Sequence, residues 1–228
     1  MMQQTTAILI FSRNSAAESY CKPIIGNNAA DGKLWDYLYN KTLRTANTTG
    51  LPVIICDESV QKGNSFAEKI ANALMAGFEN GYDNLIVIGG DCLDLNKAIL
   101  LNVNELVANK KQLVLGPDCR GGVYLFAINK SHFNKEVFQQ FQWQTKLLYQ
   151  QFVQFGASFS TTFLPHLSDI NTKDDVLASL YKFSINNSWR LLLSEIIAQN
   201  IPLYNIVNKR FQQLQINGNK PLRAPPIL

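Results

Sequence analysis

Residues 85–91 read LIVIGGD: four consecutive apolar residues, two glycines and a carboxylate. Four apolar residues without polar alternation describe a strand buried on both faces, as in a parallel sheet. The glycines allow the close approach of a bulky group. Asp91 then stands where open parallel sheets bind ligands, beyond the carboxyl ends of the strands. A carboxylate in this position either meets a ligand or simply belongs to a strand-to-helix turn, and the spacing allows both.

The flanking sequence repeats the strand-and-helix alternation. Ala7 to Phe11 reads as a first buried strand, followed by Ser12, Arg13 and Asn14 and a polar, turn-rich loop through Pro23, Gly26 and Gly32. Leu34, Trp35, Leu38 and Thr42 place one face of a helix over 33–48. Leu51 to Cys56 is a second strand, and Ser65-x-x-Glu68 is a capping box opening a helix that Gly81 ends. After the third strand, Asp94 is the expected N-cap of a helix carrying Leu95, Ile99, Val103 and Leu106. Gln112 to Leu115 is a fourth strand ending in Gly116-Pro117, and Val123 to Ile128 a fifth. Short helices are expected from Ser131 and Thr145. Phe159, Thr161 and Phe163 alternate as an edge strand, and helices are expected over 173–181 and 187–199. The three prolines of the terminal KPLRAPPIL exclude a helix there. The pattern predicts an α/β fold: a mainly parallel sheet with helices on both faces, in a single domain spanning 1–228.

Composition narrows the function classes. The net charge of +4 contains no run of like charges that would make a nucleic-acid tail. No apolar stretch is long enough to cross a membrane, and the N-terminus lacks a charged leader region. Cys21, Cys56, Cys92 and Cys119 fit no zinc spacing, and a reducing, cytoplasmic setting is expected. His132 and His166, the only histidines, lie at element boundaries and read as structural. The Phe- and Gln-rich stretch 138–155 is either helix core, an acceptor-pocket wall or a homodimer surface.

The ordered segments VIGGDCLDL, LVLGPDCRGGVYLFAI, FQWQT and LSDINTKDDV, within residues 5–182, resemble a family of bacterial glycosyltransferase-like proteins. That family has the nucleotide-diphospho-sugar transferase fold (GT-A, Rossmann-like) and is related to the guanylyltransferases acting on molybdenum cofactor and phospholactate. Its pattern runs approximately G-S-D-C-P-x-L, L-G-P-x-x-D-G-G-Y, W-S-T and D-I-D-T-x-x-D-L. The resemblance implies that Asp91 is a metal-binding carboxylate, with Asn171 as a neutral oxygen ligand and Asp169 orienting the same turn. It implies that Gly63, Asn64 and Lys69 lie near the nucleotide, together with Ser12, Gly116 and Pro117, and that Gly121 and Gly122 leave room for the transferred group. Trp143, ahead of Gln144 and Thr145, either stacks on the sugar or nucleotide or is a core Trp beside a helix cap.

The departures are chemical. The family's basic K-x-R-L segment after the first strand is missing, leaving Arg13 and Lys22 as candidates to hold phosphates. Arg120 replaces the acidic residue of D-G-G and reverses its charge, although Asp118 is close by; Asn171 has lost a charge, and Lys69 keeps charge but loses the planar fork of Arg. The resemblance implies a glycosyl- or nucleotidyltransferase using Mg²⁺ or Mn²⁺. Its partners would be a nucleotide or nucleotide-sugar and a small-molecule acceptor, with Asp91, Arg13 and Arg120 in the chemistry. The alternative is a nucleotide-binding or regulatory module of the same fold that has lost turnover.

Overall fold

Strand β1 (Thr6–Phe11) is buried along its whole length, because its side chains alternate between two cores. Ala7, Leu9 and Phe11 enter one, and Ile8 and Ile10 the other. The computed structural model describes residues 5–110 and 112–200. They form two compact units, one ending at Asp175 and one beginning at Val176; the proline-rich terminus lies outside the described residues.

The first unit is built on a six-stranded sheet. β1 pairs in parallel with β2 (Val53–Cys56) on one side and β3 (Asn84–Ile88) on the other. Beyond β3 the order continues with β5 (Val123–Asn129), β4 (Leu113–Pro117) and the edge strand β6 (Thr161–Phe163). β5 is antiparallel to both of its neighbours, whereas β4 and β6 pair in parallel. Five strands therefore run one way and β5 alone runs back. The β4 register shifts between Gly116 and Pro117, a bulge position where the missing proline N–H is tolerated.

Helices cover both faces. α3 (Phe66–Glu79), α5 (Lys135–Gln140) and α6 (Leu148–Gly156) bury Leu74, Phe78, Phe138 and Phe152 against one face. α2 (Asn28–Asn47) and α4 (Lys97–Lys110) bury Ala46, Leu100, Val103 and Val107 against the other. The aromatic side chains of the stretch 138–155 pack inward, Phe138 and Phe152 being fully buried.

Two local expectations are corrected. The segment after β1 is not one long loop: α1 (Ser15–Cys21) is capped by Asn14, whose Oδ1 accepts from Ala17 N, and α2 starts at Asn28. The first turn of α2, Asn28 to Asp31, carries no large apolar side chain, so apolar periodicity does not reveal it; Asn27 Oδ1 accepts from Ala29 N and Ala30 N. Asp94 does not cap α4; Asn96 Oδ1 does, accepting from Ile99 N at 3.1 Å. Ser65 caps α3 as expected, taking Glu68 N at 3.1 Å, while the Glu68 carboxylate accepts from Asn64 N.

α7 (Lys173–Ser179) ends inside the second unit, and α8 (Ser188–Asn200) follows within it. There the buried Trp189 donates from Nε1 to Ser179 Oγ at 2.8 Å, and Arg190 closes the intervening turn on Phe183 O.

Candidate functional site

The carboxyl ends of β1 and β3 open into a cavity of about 820 Å³, within the range of small-molecule sites. Ser12, Gly89, Gly90 and Asp91 come from these ends, and Asp169 and Asn171 come from a segment laid alongside. That segment is fixed by backbone pairing: Cys92 bridges Asp169, and Ile170 N donates to Asp91 O at 2.9 Å. Asp175 organises the turn that follows, accepting from Asn171 N, Thr172 N and Thr172 Oγ1.

Lys22 enters this acidic end. Its Nζ donates to Asp91 Oδ2 at 3.1 Å and to Asn171 Oδ1. The chain around Lys22 is held firmly. Asp31, 1% exposed, accepts from Ile24 N and Ile25 N through Oδ1 and from Gly26 N through Oδ2. Trp35 Nε1 donates to Lys22 O at 3.1 Å, and the Lys22 ammonium lies 5.1 Å from the Trp35 ring centroid, a cation–π contact.

Asp169 is in a different state. Its Oδ1 is buried and has no hydrogen-bond partner among the described residues. Burial, and then the charges of Asp91 and Asp118, push its carboxyl up to about 8. The cause is desolvation of an anion together with like-charge repulsion, which the Lys22 charge offsets only in part.

A divalent cation is the group the resemblance implies here. Asp91, Asp169 and Asn171 offer the oxygen donors that hard cations take. The arrangement nevertheless does not fit one. Among the described residues no three acidic, His or Cys side chains converge. The ammonium of Lys22 already uses both Asp91 and Asn171, and a second cation on those oxygens would meet it at short range in a partly desolvated site.

The remaining expected residues divide sharply. Arg13, Lys69, Arg120, Gly122 and Trp143 line the cavity. Gly63, Asn64, Gly116, Pro117 and Gly121 are not among its lining residues. Gly63, at φ +135°, would place a Cβ 2.7 Å from Glu68 Cβ, so it permits the approach to α3. Gly116 would meet the Tyr124 ring at 2.5 Å. Gly121 has φ +90° and would meet Lys146 O at 2.4 Å, and a Cβ on Gly122 would meet Asp118 Oδ2 at 2.5 Å. Both glycines thus hold the tight 118–122 turn, and Gly122 also lines the cavity, where a missing side chain leaves room. Arg13 is paired with Glu18 at 3.0 Å, and Arg120 places Nη2 2.7 and 2.8 Å from the two oxygens of Asp175. Trp143 is a wall and a core residue at once: its Nε1 donates to Phe138 O at 2.8 Å, and its ring packs on Phe66, Phe126 and Phe152.

Thr145 caps no helix: its Oγ1 donates to Gln142 O and accepts from Leu147 N, and α6 begins three residues later. His132 stacks on Phe159, and His166 Nδ1 lies 3.1 Å from Asp118 O; neither lines the cavity. Sequence reasoning missed Asp31, whose signal is an acidic residue just after a Pro-to-Gly turn. It also missed Gln144, which lines the cavity at φ +62°, a conformation rare outside glycine.

A family model described as an uncharacterised protein conserved in bacteria (DUF2064) matches residues 40–145. No curated protein sequence matches the chain. Among solved structures, a candidate nucleotide-diphospho-sugar transferase from Desulfovibrio desulfuricans G20 superposes with a TM-score of 0.71 at 21% identity, covering 87% of this chain and 99% of its own. A 4-diphosphocytidyl-2C-methyl-D-erythritol synthase from Anaerococcus prevotii DSM 20548 aligns more loosely, with a TM-score of 0.47 at 12% identity over 77% of this chain and 96% of its own. No helix among the described residues is long and apolar enough to cross a membrane. The sheet order, the helices on both faces and the likeness over 87% of the chain together establish the nucleotide-diphospho-sugar transferase fold.

Proposed function

We propose that the chain is a nucleotidyl- or glycosyltransferase that binds a nucleoside triphosphate or nucleotide-sugar across the strand ends and transfers one part of it to a small acceptor. The observation that carries this reading is the cavity itself. It is about 820 Å³, it lies at the carboxyl ends of parallel strands, and it joins the polar Asp91, Lys22 and Asn171 to an apolar wall containing Phe66 and Trp143. A polar end suits phosphates and an aromatic wall suits a base or sugar ring. The guanylyl transfer suggested by the family resemblance is one member of this class.

In this reading Asp91 orients the cationic end of the site through its bond to Lys22, and Ser12 and Lys69 border the same space. Trp143 supplies a wall whose orientation is locked by its bond to Phe138 O. Arg13 holds Glu18 and Arg120 holds Asp175, each through one terminal nitrogen, and a ligand would meet the remaining N–H donors of each guanidinium. The Mg²⁺ or Mn²⁺ implied by the resemblance has no place on Asp91, Asn171 and Asp169 while Lys22 bridges the first two.

Thermal-shift measurements with a panel of nucleoside triphosphates and nucleotide-sugars test the proposal. At least one should raise the melting temperature, and Asp91→Ala should abolish that rise. A wild-type protein indifferent to the whole panel rules the reading out.

A further inference from the structure

We infer that the ammonium of Lys22 holds the cation seat of this site, so that a ligand's diphosphate is met by a tethered positive charge and binds without a divalent ion. Four observations converge on Lys22. Its Nζ bridges Asp91 Oδ2 and Asn171 Oδ1, which belong to two of the three side chains that the resemblance implies as metal ligands. Its backbone carbonyl is held by the Trp35 indole and its charge lies over the same ring. Trp35 is only 3% exposed, so this platform is rigid. The next residue is Pro23, and the following three amides are gathered by the buried Asp31.

An exposed lysine is a mobile, hydrated point charge. Here both ends of the side chain are located before any ligand arrives, and such preorganised charge is what makes electrostatic stabilisation of phosphate effective. An ammonium has three N–H donors. Asp91 and Asn171 take two, and the third is left for a ligand oxygen in the cavity that Lys22 lines. Asp91 and Asn171 thus position the lysine, while the lysine meets the ligand. The identity of that ligand rests on the nucleotide-transfer reading; the seat of the cation does not.

The test is calorimetric titration of the wild-type chain with ADP, CDP, GDP and UDP, in EDTA and in Mn²⁺. The diphosphate that binds should do so equally, within about twofold, in both buffers, and Lys22→Met should weaken it by about tenfold or more in EDTA. Wild-type binding that disappears in EDTA and returns with Mn²⁺ overturns the assignment, as does Lys22→Met binding unchanged in EDTA. The wild-type comparison needs no variant and so survives a poorly folded one. If no diphosphate binds in either buffer, the nucleotide reading fails, and Mn²⁺ titration followed by electron paramagnetic resonance decides the cation seat alone. Mn²⁺ bound by Lys22→Met but not by wild type supports the tethered charge. Mn²⁺ bound by wild type and lost in Asp91→Asn, or bound by neither protein, refutes it.

Discussion

Lys22 and Arg120 both border the cavity, and each belongs to a turn gathered by a carboxylate. Asp31 collects the amides of Ile24, Ile25 and Gly26 next to Lys22; Asp118 Oδ1 collects those of Arg120 and Gly122. The outcomes are opposite. Lys22 lies just ahead of its gathered amides and turns inward to Asp91, with 27% of its side chain exposed. Arg120 lies within its own turn and pairs with Asp175, with 45% of its side chain exposed. A positive charge beside a cleft therefore does not define a binding group. Its place relative to the anchoring turn decides whether it turns to the carboxylate at the strand end or closes a surface ion pair.

The contrast can be broken from the anchors. Asp31→Ala strands three backbone N–H groups, two of them buried, and should cost about 3 kcal/mol or more of stability in urea unfolding. A loss below about 1 kcal/mol would mean the Lys22 segment is held by something else.

Asp169→Asn probes the buried carboxyl beside the Lys22–Asp91 pair. The Asp169 carboxyl is raised to about 8, so the folded state binds a proton that the unfolded chain releases at ordinary carboxylate pH. Its contribution is fully present below the unfolded value and is lost as pH rises through about 8. Wild-type stability should therefore fall over this window, and the variant should gain on the order of 2–3 kcal/mol more at the alkaline end than at the acid end. Parallel pH–stability curves for the two proteins would contradict the assignment.

Gly121→Ala attacks the other turn. A left-handed residue whose Cβ meets Lys146 O at 2.4 Å should destabilise by about 2 kcal/mol in the same unfolding assay. No loss would show that the turn yields easily. Arg120→Ala should have the smallest effect, below about 1 kcal/mol, because its ion pair is half exposed. Its nucleotide affinity should fall far less than that of Lys22→Met, and an equal fall in calorimetry would erase the contrast between the two turns.

The sheet was legible in the sequence because buried strands carry uninterrupted apolar runs, as β1 and β3 do. Helix α3 was legible because Ser65 and Gly81 punctuate a clear periodicity. The start of α2 was not, since its first turn carries no large apolar side chain and is fixed by hydrogen bonds that Ala29 N and Ala30 N donate to Asn27 Oδ1. Of the site, Asp91 could be singled out because a strand end constrains where it sits. The pairing of Lys22 with Asp91 could not, because it joins residues far apart in the chain through a loop whose course Asp31 sets. The second duty of the 118–122 glycines was hidden for the same reason: what surrounds a missing Cβ is a tertiary property, and here it is Lys146 O and the Asp118 carboxylate.

The reversed strand β5 brings a hairpin tip, rather than the start of another helix, to the mouth of the cavity. A hairpin can be lengthened at its tip while its two strands keep their pairing. The scaffold thus separates a fixed charge-bearing rim from an adjustable one. Grafting a longer tip between Asp118 and Val123 is the change by which this architecture could reshape the cavity mouth without redrawing the sheet.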